Sequence, residues 1–204
     1  MNGKRIITVL TIVPVLLVSL SGAVSAQQKK QPVTSVIVNT GPVKTLNSLI
    51  FLSPGELMNG WNNSDKTVTN KVSYAVEDGE VRGYLAISGT SGIGTWNYAG
   101  SQRFPLIAGR TYRLSGWMLV SSINDPAWPP YLKCTLFQND KWLNNFNTIK
   151  YDLARQGEWQ LLSVEFSVPV VGGYKGNLAL EKGTKDTSLE IKVVLRDLQI
   201  DLIE

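Results

Sequence analysis

The sequence predicts an all-β sandwich of about nine strands, and three observations carry that prediction. From residue 47 onward, runs enriched in β-branched and aromatic residues recur every 8 to 15 residues. Gly, Asn, Asp and Pro separate them, the residues that reach positive φ or preset a turn. No window in that region shows a 3.6-residue apolar period, so a helix there would have no stripe to bury.

Each element follows from its own residues. Residues 48–57 read as a first strand with a bend at Ser53-Pro54-Gly55, followed by an Asn59-Gly60 turn and Trp61. Residues 72–76 and 81–88 read as two further strands. Residues 101–107 and 111–120 flank Ala108-Gly109-Arg110, where the glycine reaches positive φ at no steric cost. In the second of these, Tyr112, Leu114, Gly116, Met118 and Val120 share one face and read as core. Arg113, Ser115, Trp117 and Leu119 share the other. A cation, a hydroxyl and an indole line sugar-binding faces more often than buried ones, so Trp117 is the first candidate for function. Residues 131–138 alternate with Leu132, Cys134 and Leu136 on one side, which makes the single cysteine a buried small hydrophobe. Residues 159–168, 177–181 and 188–202 complete the set. Within the last, Leu189, Ile191 and Val193 have odd parity whereas Leu198, Ile200 and Leu202 have even parity, which calls for a bulge or break near residues 194–196. The expected architecture is a jelly-roll β-sandwich of two antiparallel sheets.

The N-terminus has a different character. Lys4 and Arg5 precede an apolar run over residues 6–20, and Ala23-Val24-Ser25-Ala26 supplies small residues for cleavage. Residues 1–26 therefore read as a signal peptide, with the membrane engaged only during export and the mature chain periplasmic or extracellular. Thr8, Thr11, Pro14 and Ser19 interrupt the run, which argues against a membrane anchor. Residues 27–46 read as a tail and linker in which residues 36–38 could add an edge strand, and residues 47–204 as one domain. Removing residues 1–26 takes away two basic and no acidic residues, so the formal charge falls from +4 to +2. Apart from Lys29-Lys30 the remaining cations are scattered singly, which excludes a nucleic-acid partner.

The chain has no histidine, so Ser-His-Asp and Cys-His nucleophiles, His-ligated zinc and imidazole acid–base chemistry are excluded. Glycoside hydrolysis needs only two carboxylates, and Asp140, Asp152, Glu165 and Glu181 are the residues to place for that reading. The acidic residues fall mostly in turns or at solvent-facing strand positions, so the expectation is a protein that is not an enzyme.

Residues 104–117 spell an apolar residue, Leu106, Gly109-Arg110, Tyr112, Leu114-Ser115 and Trp117 at fixed spacing. Gly60-Trp61, residues 84–88, residues 157–160, residues 164–168 and residues 195–200 stand around it in order. This arrangement, spanning residues 47–203, resembles the jelly-roll, galactose-binding-like carbohydrate-binding modules attached to bacterial xylanases and cellulases. The resemblance implies a polysaccharide or glycan as partner. It also implies a structural calcium held by a carboxylate near the first strand and another in the last, places taken here by Glu56 and Asp197; otherwise no cofactor is required.

The aromatic residues point the same way. Six tryptophans and seven tyrosines exceed what one core needs. A flat ring buries the apolar face of a sugar while polar neighbours take its hydroxyls. Beside Trp117, the candidates are Trp96 and Tyr98 in a glycine-bounded loop, Trp128 and Tyr131 around Pro129-Pro130, and Trp142 after the Asn139-Asp140 turn, with Lys133 among the polar groups. Trp61 and Trp159 read as packing residues. The leading expectation is an exported, non-catalytic domain gripping a glycan by aromatic stacking. The alternative is an envelope or extracellular structural protein whose aromatics form one apolar patch for a protein partner.

Overall fold

A computed structural model describes residues 49–203. The expected signal peptide, tail and edge strand at residues 36–38 lie outside the described residues. In chain order the strands are β1 (Leu49–Leu52), β2 (Asn62–Asn63), β3 (Thr69–Glu77), β4 (Glu80–Ser91), β5 (Asn97–Gly100), β6 (Phe104–Leu106), β7 (Thr111–Ile123), β8 (Tyr131–Gln138), β9 (Lys141–Asn147), β10 (Gln160–Ser167), β11 (Tyr174–Glu181) and β12 (Leu189–Ile203). One antiparallel sheet, here sheet A, has the order β10-β7-β12-β4-β3, with β1 also on β12. The other, sheet B, has the order β2-β5-β11-β8-β9, with β6 also on β11.

The two-sheet architecture is the predicted one, and twelve strands replace about nine because β2, β5 and β9 carry weak signals. β9 reads Lys-Trp-Leu-Asn-Asn-Phe-Asn, poor in strand formers. It is held by β8 through a two-residue turn at Asn139 and Asp140, whose φ values of +50° and +61° give the backbone twist a tight hairpin requires. The bend at Ser53-Pro54-Gly55 is a short helix, α1 (Pro54–Met58). Ser53 Oγ accepts from the backbone N–H of Glu56, and Glu56 Oε2 accepts from Ser53 N at 2.8 Å, a reciprocal cap.

The core lies between the sheets. Tyr112, Leu114, Met118 and Val120 from β7 meet Leu132, Cys134 and Leu136 from β8 in a single buried cluster. Gly116 marks a close approach: a Cβ there would stand 3.0 Å from a Leu198 methyl and 3.2 Å from one of Leu132, so no larger residue fits without movement. The predicted break in β12 falls at Asp197, just past residues 194–196. Its φ is +50°, the pairing with β7 slips between Arg196 and Gln199, and burial passes from Leu195 to Leu198 and Ile200.

One connection alters the reading of the central stretch. β6 belongs to sheet B and β7 to sheet A, so the Gly109 turn carries the chain from one sheet to the other. Gly109, at φ +73°, donates to the carbonyls of Val168 and Pro169, which pins the crossing.

Candidate functional site

The alternation that buries Leu132, Cys134 and Leu136 turns Tyr131, Lys133, Thr135 and Phe137 outward from sheet B. β8 is an inner strand of that sheet, so Lys133, Thr135 and Phe137 each have a neighbour on both sides. Tyr131 faces Glu181 of β11. Thr135 lies between Asn177 of β11 and Asn145 of β9, and Phe137 between Lys175 and Trp142. Tyr131, Lys133, Thr135 and Phe137, with Asn145, Asn177 and Glu181, form the floor of a groove of about 550 Å³, with Asn97 and Asn147 at its margins and Trp96 and Trp142 standing beside it. Tyr131 and Phe137 are six positions apart, which sets the floor at roughly 20 Å along the strand.

The floor is polar but its charges are cancelled. Lys133 Nζ donates to Glu181 Oε2, both side chains being almost fully buried. Burial, with Glu181 alongside, pushes the Tyr131 hydroxyl up to about 12, so it stays a donor at physiological pH. Trp142 Nε1 donates to Asn145 Oδ1 at 3.2 Å, which orients the indole at the edge. At the Phe137 end the Arg103 guanidinium covers the phenyl ring at 3.8 Å. Trp96 and Trp142 keep 50% and 63% of their surface exposed, so their faces remain open to a ligand. A second hollow, lined by Gln138, Asn139, Lys141 and Leu143, lies against Trp142 as well.

The sequence-derived candidates divide. Trp96, Tyr131, Lys133 and Trp142 come together at this groove. Trp117 does not: it is half-buried on the outer face of sheet A, opposite Leu161 on one side and Arg196 on the other. Tyr98, placed by its loop among the stacking residues, is fully buried in the core. It follows Asn97 in β5, so strand alternation turns it inward where Asn97 turns toward the groove. Trp128 packs against the core behind Asp125, whose carbonyl accepts from Trp128 N at 3.3 Å. Thr135, Asn147, Asn177 and Glu181 join the groove without having been singled out for binding. The parity of residues 131–138 contained Thr135; the other three depend on cross-strand pairing.

The two carboxylates considered for calcium have partners of their own. Glu56 caps α1, and the Ser53 backbone N–H holds its carboxyl below the usual range. Asp197 accepts from Arg82 Nη1 at 2.6 Å, and Arg196 Nε lies 3.8 Å from the same oxygen. A cation at Asp197 would meet two guanidinium groups, and among the described residues no three Asp, Glu, His or Cys side chains converge. The residues present do not fit the ion.

The carboxylates considered for hydrolysis are dispersed. Glu165 pairs with Arg113 on sheet A, and Asp152 caps the 3₁₀ turn Leu153–Arg155. Asp140 accepts from Lys175 Nζ at 3.0 Å and Arg103 Nη1 at 2.9 Å. Lys175 and Glu181 are six residues apart on β11, which separates Asp140 from Glu181 by on the order of 20 Å.

Residues 51–188 match a family described as a carbohydrate binding domain. No curated protein sequence matches. Among solved structures, the Clostridium thermocellum N-terminal endo-1,4-β-D-xylanase 10B, as CBM22-1–GH10 modules complexed with xylohexaose, is 14% identical with a TM-score of 0.51; the alignment covers 76% of this chain and 28% of that one. The CBM22-1 xylan-binding domain of Paenibacillus barcinonensis Xyn10C is 16% identical with a TM-score of 0.48, covering 77% and 96%. A CBM4 structure is 17% identical with a TM-score of 0.42, covering 72% and 97%. At these identities a likeness bears on the fold alone, and the first agrees with the sandwich described above.

Proposed function

This chain belongs to the carbohydrate-binding-domain family, and from that premise we propose that it is an exported, non-catalytic module gripping a polysaccharide along the outer face of sheet B. The observation that carries the proposal is the groove itself: Trp96 and Trp142 border a floor in which Tyr131 lies among asparagine and threonine side chains. The rings take the apolar faces of successive sugars. The amides, each offering donors and an acceptor, take the hydroxyls. A stacked ring adds about 1 kcal/mol beyond its buried area, which places affinity in roughly the micromolar to millimolar range.

The non-catalytic reading is supported by the carboxylates. Hydrolysis of a glycosidic bond needs two of them about 5 to 9.5 Å apart. The groove is lined by one, Glu181, ion-paired with Lys133. The grip uses no metal ion. Export rests on the signal-peptide pattern of residues 1–26.

The protein-partner reading has one feature in its favour: Tyr74, Val76 and Val81 are exposed on the β3–β4 hairpin. A tryptophan-fluorescence titration separates the two. The mature domain is titrated with soluble xylan, β-glucan, mannan and peptidoglycan fragments, and the responding polymer is repeated with Trp96→Ala. A saturable change that the folded variant loses is the expected result. Silence across the panel with an intact fold would overturn the glycan reading and leave the hairpin as the surface to pursue.

A further inference from the structure

Lys182 follows the last residue of β11, yet its side chain has no exposed surface. A buried ammonium is costly unless all three of its protons are taken. Here they are: Nζ donates to the carbonyls of Ser91 at 3.1 Å, Gly92 at 2.6 Å and Thr187 at 2.8 Å. Ser91 ends β4 and Gly92 begins the connection from β4 to β5, which carries Trp96. The third lies in the connection from β11 to β12.

The Ser91 and Thr95 hydroxyls brace the same loop, Ser91 Oγ donating to Asn97 O at 3.0 Å and Thr95 Oγ1 to Gly92 O at 2.9 Å, and backbone bonds add to the mesh. Lys182 N donates to the carbonyl of Trp96 at 3.0 Å, and Gly94 N to that of Lys185 at 2.7 Å. Asp65 supplies the counter-charge: its Oδ2 accepts from Gly92 N at 2.9 Å and its Oδ1 from Thr67 N at 2.9 Å. Burial drives the Lys182 ammonium below its ordinary pKa, and the Asp65 and Glu181 carboxylates act against that shift. The loop bearing the most exposed part of the groove wall on this side is thus tied to a charge that no solvent reaches.

We propose that Lys182 is a positioning residue for binding: its ammonium joins the 92–96 and 183–187 loops so that Trp96 is held in place before the ligand arrives. Lys182 itself touches no sugar. Its effect reaches the ligand through the indole, because a wall already ordered loses less conformational freedom on binding. This rests on the groove reading above.

The test is a double-mutant cycle with a ligand-free arm. Calorimetric titration with soluble xylan compares the native domain, Lys182→Met, Trp96→Ala and the double variant, and amide exchange is followed over residues 92–97 and 141–147. Lys182→Met should weaken binding by roughly fivefold in the native background and by nothing further once Trp96 is gone. Exchange over residues 92–97 should speed up while that of β9 is unchanged. A purely structural lysine would lower the unfolding midpoint and leave affinity alone, or weaken both backgrounds equally; either outcome overturns the proposal, as does unchanged exchange at residues 92–97. If Lys182→Met does not fold, Asp65→Asn is carried through the same cycle, with a smaller effect of the same form expected. Failure of xylan to bind, or an affinity indifferent to Trp96→Ala, counts against the groove reading, and the exchange arm then decides the role of Lys182 by itself.

Discussion

The outer faces of the two sheets carry similar side chains and put them to different uses. On sheet A the Arg196 guanidinium lies 4.3 Å from the Trp159 ring and 5.7 Å from that of Trp117. Its Nη1 donates to Glu77 at 2.9 Å, Arg82 holds Asp197, and Tyr84 packs on Trp159 at 6.3 Å. The aromatic faces there are already occupied by the protein's own cations and rings. On sheet B the corresponding cation, Arg103, covers only Phe137. Trp96 and Trp142 have asparagines for neighbours, and short amides leave the indoles uncovered. An aromatic on this surface therefore becomes available to a ligand when no guanidinium lies over its face.

The largest effect that tests this contrast is in the charges. Lys133→Met strands the Glu181 carboxylate in the floor of the groove, where both side chains are nearly inaccessible. It should cost about 3 kcal/mol in urea unfolding, and adding Glu181→Leu should recover most of that. On sheet A, Arg113→Met removes an exposed partner of Glu165 and should cost less than about 1 kcal/mol. Equal costs on the two faces would mean that the groove floor is as wet as the opposite surface.

A smaller effect separates the tryptophans. Trp142→Ala should weaken polysaccharide binding by about tenfold, about 1.4 kcal/mol, with little change in unfolding. Trp117→Ala should do the reverse, lowering stability by about 1 to 2 kcal/mol with affinity unchanged. If a folded Trp117→Ala protein lost binding while Trp142→Ala kept it, the site would belong on sheet A and the comparison would be inverted.

These two tryptophans also show how far the sequence could be read. Parity placed Trp117 on an outer face, and it is on one. Parity is local, however, and does not say which sheet a strand joins; that is decided by the passage from β6 in sheet B to β7 in sheet A at Gly109. The same local rule located the outward set of β8 and the slip in β12 to within a few residues, because buried apolar side chains mark their own phase. Tyr98 was assigned from its glycine-bounded loop, when two residues of β5 alternation would have turned it inward. Asn147 and Asn177 were silent because their role arises from registers with β8, between residues far apart in the chain. An asparagine in a strand has no periodic signature of its own.

The weakest perturbation examines the wall that separates the two faces. Cys134 is wholly buried between the sheets, and burial pushes its thiol up to about 12. The thiolate is the reactive form, so at pH 8 almost none of the thiol would be ionised in the folded state. Because its native value lies above the unfolded value near 8.5, stability from the neutral thiol is present at neutral pH and is lost as pH rises from about 8.5 through 12. Cys134 should therefore resist a disulfide reagent at pH 8 in the native domain and react within the dead time once unfolded in urea. Adding polysaccharide should slow the native rate only by as much as it raises unfolding stability, since the groove lies on the far side of β8 from the sulfur. Rapid labelling of the native protein would show that the wall opens without unfolding, and that the two faces are coupled through the core between them.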